Sequence, residues 1–120
     1  MKAITVRQPF AGLIVAGVKD VENRTWNTRL RGRIAIHAAS AKPSAGAMEF
    51  YEREVKARGW KWPKDLVELR GGIIGTVELV DVVTKSRSPW FNGKGFGFVL
   101  ANPKRLKFRP ATGQLKIWEA

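Results

Sequence analysis

Hydrophobic and polar positions change rhythm along the chain, and the changes outline its elements. Residues 2–6 (KAITV) have the β-branched alternation of a short strand. Arg7-Gln8-Pro9 breaks it, and proline, with no amide proton to leave unpaired, suits the start of a helix. Phe10 to Ala16 (FAGLIVA) is apolar on every side. Such a helix is stable only when buried, so it should plug the core. Gly17 is a natural stop. Val21, Asn23 and Thr25 alternate with Glu22, Arg24 and Trp26, a period of two that predicts a strand. Gly32 punctuates, and RIAIHAAS predicts another strand. Ser44 is placed to cap a helix from about Ala45 to Arg58, with Ala47, Met48, Tyr51 and Val55 on one side and Gly59 at its end. WKWPKDLVELRGG predicts a loop with a short helical turn near Asp65. Residues 72–84 (GIIGTVELVDVVT) carry the strongest strand signal, with Gly75 marking a bend or bulge. After the turn-rich KSRSPWFNGKG, the chain predicts a strand at FGFVLAN, a separate one from Lys104 to Arg109, and a last one at QLKIWE.

About six strands and two main helices, without regular βαβ alternation, point to the α+β class: a small barrel or curled sheet with helices beside it. A chain of 120 residues, 44 % hydrophobic, is expected to form one domain over residues 1–120. It shows no repeat, low-complexity segment or linker. It has no run of 18 apolar residues, so no membrane partner is expected. Only four residues separate Lys2 from Arg7, too few for a signal-peptide core. The absence of Cys excludes disulfides, thiolate metal sites and Cys nucleophiles, and fits a reducing cytoplasm, the expected location. His37 is the one histidine, expected to be a buried or hydrogen-bonded strand residue. No metal or cofactor is expected: a carboxylate Mg²⁺ site would have only Asp20 and Glu22 close together.

Charge changes the picture more than composition does. The net charge is +12, and each half of the chain carries 11 basic and 5 acidic side chains. The excess is therefore spread through the fold and is not a basic tail. Its expected partner is a polyanion, nucleic acid first.

The segment Gly17-Val18-Lys19-Asp20-Val21-Glu22-Asn23-Arg24 gathers the candidate chemistry. Strand alternation puts Glu22, Arg24 and Trp26 on one face, and Lys19, in the turn before, can reach that face. Glu22 between two cations should stay ionised, and Lys19 beside Glu22 should stay protonated. Arg24 offers a planar fork for phosphate or a nucleobase edge. The trio suits ligand recognition. Its route to catalysis has Glu22 as base and Lys19 as acid or oxyanion stabiliser, cleaving RNA through its own 2′-OH or an amide through water. A solvated face of exposed ion pairs is the plainer alternative.

Gly17-x-Lys19-x-x-Glu22-x-Arg24 resembles the GxKxxExR signature of the ASCH family, a branch of the PUA-like superfamily. Ile4 to Pro9, Arg31-Gly32 with Ile34 to Ala38, Ser88-Pro89-Trp90-Phe91, Phe96 to Leu100 and Leu115 to Trp118 resemble the small bacterial and phage members in the same order. The resemblance implies a PUA-like β-barrel with a cleft beside the first helix, lined by Lys19, Glu22 and Arg24. Single-stranded RNA or a nucleotide-like ligand is its implied cargo. One small bacterial relative is described as a ribonuclease. Another branch is an amidohydrolase acting on N4-acetylcytidine with Lys, Thr and Glu. Here the Thr position is Glu22, and residues 82–118 hold no Glu to match the catalytic one. Thr25 or Thr28 would have to supply the hydroxyl. A non-catalytic adaptor docking an acidic protein is the third reading.

Further binding candidates surround this core. Trp90, in a loop flanked by Arg87 and Lys94, is expected to stack on a base, with Ser88 contacting a phosphate or starting the turn. Arg7 and Trp26 are expected in the cleft. Trp60, Trp62 and Trp118 are expected to close the ends of a barrel. Lys104, Arg105, Lys107 and Arg109 alternate with Leu106 and Phe108, which predicts a strand with one basic face for a nucleic-acid backbone.

Overall fold

The computed structural model describes residues 1–120. Six strands, β1 (Lys2–Val6), β2 (Val21–Arg24), β3 (Gly32–Ala38), β4 (Gly72–Val83), β5 (Phe96–Pro110) and β6 (Ile117–Glu119), form one sheet in the order β2-β5-β4-β3-β1-β6. Only β1 and β3 run parallel; every other pairing is antiparallel. Three helices accompany the sheet: α1 (Phe10–Val15), α2 (Ala45–Ala57) and α3 (Lys64–Val67). This is the α+β architecture the pattern predicts, and no helix is long and apolar enough to cross a membrane.

The apolar α1 does plug the core. Ala11 to Val15 are all buried, and Ile14 and Val15 join Ile4, Ile36, Ile74 and Phe98 in the main cluster. Pro9 is the residue just before the helix rather than its first residue. Gln8 is buried beside it. Its Nε2 donates to the carbonyls of Leu66 and Leu69, at 2.8 and 2.6 Å, and its Oε1 accepts from the Gly12 amide at 2.9 Å. One amide thus pins the start of α1 to α3. Gly12 permits the contact, since a Cβ there would stand 2.7 Å from the Val67 nitrogen.

Two boundaries differ from the sequence reading. The strands expected at 96–102 and 104–109 are one continuous β5, which pairs with β4 from end to end. Asn102, at φ 49°, and register shifts along the ladder absorb the bend that Pro103 imposes. The shift at Gly75 is the expected bulge: a Cβ there would lie 2.5 Å from the Lys104 carbonyl and 2.6 Å from Val15. Strand β2 stops at Arg24, so Trp26 lies beyond it.

Ser44 caps α2 by accepting from the Ala47 amide at 3.1 Å, as its position predicts. Only Val55 of this helix is fully buried. Trp118 sits between Ala3, Ala35 and Ile73, and Trp62 packs against Leu13, Val55 and Val67.

Candidate functional site

The turn after α1 sets the first catalytic candidate. Gly17 adopts φ +80°, which lets the chain reverse, and the amides of Val18 and Lys19 both donate to the Leu13 carbonyl, at 2.9 and 3.0 Å. Lys19 is thereby turned inward and is 4 % exposed. Its Nζ lies 3.6 Å from Glu22 Oε1 and 5.3 Å from the ring centres of both Phe10 and Trp90. Burial pushes the Lys19 ammonium below its ordinary value; Glu22 and Asp20 pull it back only in part. Desolvation thus outweighs the ion pair in setting the direction of the shift, an effect of burial that the spacing of Lys19 and Glu22 does not contain.

Strand β2 presents Glu22 and Arg24. Arg24 Nε and Nη2 both donate to Glu22 Oε2, at 3.1 and 2.7 Å, and Nη2 also donates to the Thr5 carbonyl at 2.8 Å. The fork expected to grip a ligand is thus spent on the protein itself. Arg24 instead links β2 to β1, with three strands between them in the sheet order, and holds the sheet curled.

A cavity of about 1210 Å³ opens over this trio. Seven of the sequence candidates line it: Lys19, Glu22, Arg24, Arg7, Trp26, Trp90 and Lys94. Trp26 packs edge-on against Phe98 at 5.2 Å, and the Lys116 ammonium stands 5.9 Å from its ring. Trp90 donates from Nε1 to the Val18 carbonyl at 2.9 Å and stacks on Trp60 at 5.9 Å and 20°. Trp60, expected at a barrel end, is a wall of the cavity.

Five candidates lie elsewhere. Ser88 donates to Asp20 and accepts from the Trp90 amide, so it shapes the loop and does not face the cavity. Arg87 is exposed outside it. Lys107 and Arg109 sit on the far half of β5, and Arg105 there is paired with Asp65. Leu106 and Phe108 are also exposed on that half, so both faces of it meet solvent. Of the two hydroxyls considered for the amide chemistry, Thr25 lines the cavity, whereas Thr28 accepts from the Leu30 amide at 3.1 Å outside it.

The pattern missed the wall supplied by α2. Tyr51, Glu54 and Arg58, three and four residues apart, share one helix face and line the cavity with Phe50. That spacing was available in the sequence. Asn23 was missed as well. Its Nδ2 donates to the Trp90 carbonyl at 2.9 Å and its Oδ1 accepts from the Asn92 amide at 3.1 Å, clamping the 88–95 loop to β2. In sum, six cationic and two acidic side chains line the cavity together with five aromatic residues from outside the signature, Phe10, Phe50, Tyr51, Trp60 and Phe91, besides Trp26 and Trp90. Its lining is therefore net positive and rich in aromatic rings.

A family model described as the ASCH domain matches residues 4–110. The human protein named Activating signal cointegrator 1 is 32 % identical over 127 aligned positions, and its mouse counterpart 29 %. Each alignment takes in 97 % of this chain and 22 % of the relative, so the chain spans about a fifth of the length of these curated relatives. The crystal structure of ASCH from Zymomonas mobilis is 19 % identical and has a TM-score of 0.51, covering 91 % of this chain and 72 % of that one. A single-residue variant of the same protein has a TM-score of 0.52. At this identity the likeness concerns the fold, which is the PUA-like one expected.

Proposed function

The chain belongs to the ASCH domain family, and from that premise we propose that its cavity binds single-stranded RNA or a nucleotide-like ligand. The observation that carries the reading is the lining: six cations against two acids, interleaved with stackable rings, around a buried Lys19. Phosphate meets the cations at the mouth, Arg7, Arg58, Lys94 and Lys116, and a base meets the tryptophans. Three of the five tryptophans line the cavity, so their fluorescence reports occupancy directly. Titration with single-stranded RNA should quench it, with affinity falling roughly tenfold or more between about 50 and 200 mM salt. No binding at the lower salt would reject the reading and favour an adaptor that docks an acidic protein.

Lys19 favours a second, hydrolytic reading. A lysine with its proton affinity lowered by burial, 3.6 Å from a carboxylate, is a better proton donor than an exposed one. Glu22 Oε1, less engaged than Oε2, takes the proton of a ribose 2′-OH; the 2′-oxygen attacks phosphorus. The bond to the 5′-oxygen breaks, and Lys19 hands that oxygen its proton. End-labelled RNA incubated with chelator should then be cleaved by the wild type and spared by Lys19→Ala and Glu22→Gln. Full activity in Glu22→Gln would sink this mechanism. Hydrolysis of a modified nucleoside such as N4-acetylcytidine would need Thr25 for the hydroxyl that Glu22 replaces.

A further inference from the structure

A second cavity, of about 780 Å³, opens beside the first. Thr5, Ala39, Gln114 and Leu115 stand in the walls of both, so the two are compartments of one groove. Their chemistry differs. The first holds cations and rings. The second is walled by small residues and backbone, including Ser40, Ala41, Gly71 and Gly113, and no Lys, Arg, Asp or Glu lines it. Cations adjoin its lining residues: Lys42 follows Ala41 and Arg109 precedes Pro110 in the chain, and Arg70 donates to the Ser40 carbonyl at 3.0 Å. A neutral pocket with cations adjoining its lining matches a nucleoside within and a phosphate outside.

Two details at the junction point the same way. Leu115 is 91 % exposed, an apolar side chain left uncovered between the compartments. Apolar side chains so placed wedge between neighbouring bases. His37, 2 % exposed, has Nε2 at 2.6 Å from the Ala111 carbonyl. A carbonyl can only accept, so Nε2 carries a proton, while Nδ1 has no hydrogen-bond partner. A Cβ at position 113 would stand 3.0 Å from that Nδ1 and 2.8 Å from Thr5 Oγ1. Glycine therefore packs directly over both atoms, and Thr5 Oγ1 already accepts from Trp118 Nε1 at 3.1 Å, which leaves Nδ1 as the free polar atom of this wall.

We infer that the groove takes a single-stranded oligonucleotide, one nucleotide in the charged cavity, its chain neighbour in the second, and Leu115 against the step between their bases. The inference rests on the nucleotide reading of the first cavity and adds that the ligand is a polymer: a free nucleoside would leave the second compartment empty.

Two probes at one fixed salt concentration test it, uridine 5′-monophosphate and a uridylate hexamer. The hexamer should bind the wild type at least about tenfold more tightly. Gly113→Ala, which sets a methyl against His37 and Thr5, should remove most of that gain while leaving the monophosphate affinity unchanged, and Leu115→Ala, in the wall of both cavities, should weaken the hexamer more than the monophosphate. Lys42→Glu, at an exposed position next to Ala41, should do the same without touching the packing around Gly113. A hexamer bound no more tightly than the monophosphate overturns the inference alone, as does a gain that survives all three variants. Failure of both probes overturns the nucleotide reading with it. A polyglutamate peptide that binds as tightly as the hexamer, and is weakened by the same variants, overturns it in favour of an acidic protein.

Discussion

Lys19 shows how one residue joins fold to chemistry. Its folded form gives up a proton more readily than the unfolded chain, whose lysine titrates at the ordinary 10.5. Between those two values the unfolded chain binds more protons, so Lys19 makes stability rise with pH up to about 10.5 and level off above. Urea unfolding followed through that window should show wild type gaining on Lys19→Met as pH increases; a constant difference would mean the ammonium is not desolvated. Trp90 is the second residue of this kind. Its ring is held by Trp60 and by its own bond to Val18, so it offers a fixed platform. Trp90→Ala should weaken RNA binding by about 1–3 kcal/mol, and an unchanged affinity in the fluorescence titration would remove it from the site.

At the scale of elements, position follows from backbone contacts that few side chains enforce. Gln8→Leu keeps the volume but leaves two carbonyls and an amide of the α1–α3 junction without their partner. It should lower stability by about 2–3 kcal/mol in urea. Gly75→Ala should do at least as much harm, because its methyl would meet the Lys104 backbone as well as Val15. Strand β5 was divided in the sequence reading because Pro103 lacks an amide proton and breaks the alternation locally. The ladder from β4 carries it through, a long-range term that no local window contains. The rhythm of α1, by contrast, was legible: a helix apolar on every side has nowhere to go but inside.

For the whole molecule, the decisive feature is the curl of the sheet. Strand order places β2 at one edge and β1 next to the other, yet Arg24 reaches the Thr5 carbonyl across the opening. Arg24→Lys cannot reproduce both the paired bonds to Glu22 and that link. It should cost about 1–3 kcal/mol of stability and loosen the cavity, seen as weaker RNA binding and a lower Tm together. A normal Tm with lost binding would show instead that Arg24 touches the ligand. The positive charge acts at this scale too. It is divided evenly along the chain, and folding concentrates part of it around one cavity.

The sequence alone determined the α+β class, the buried first helix, the capped second one, the resemblance carried by Gly17, Lys19, Glu22 and Arg24, and the net charge of +12. These rest on local periodicity, turn chemistry and net charge, all of which survive in a linear string. Tertiary structure decided the rest. It brought Tyr51, Arg58 and Trp60 to the same cavity as Lys19, withdrew Ser88 and Arg105 into bonds with Asp20 and Asp65, and turned the Arg24 fork inward. It also set the balance at Lys19, because desolvation depends on what packs over a side chain, and that is supplied by residues distant in sequence.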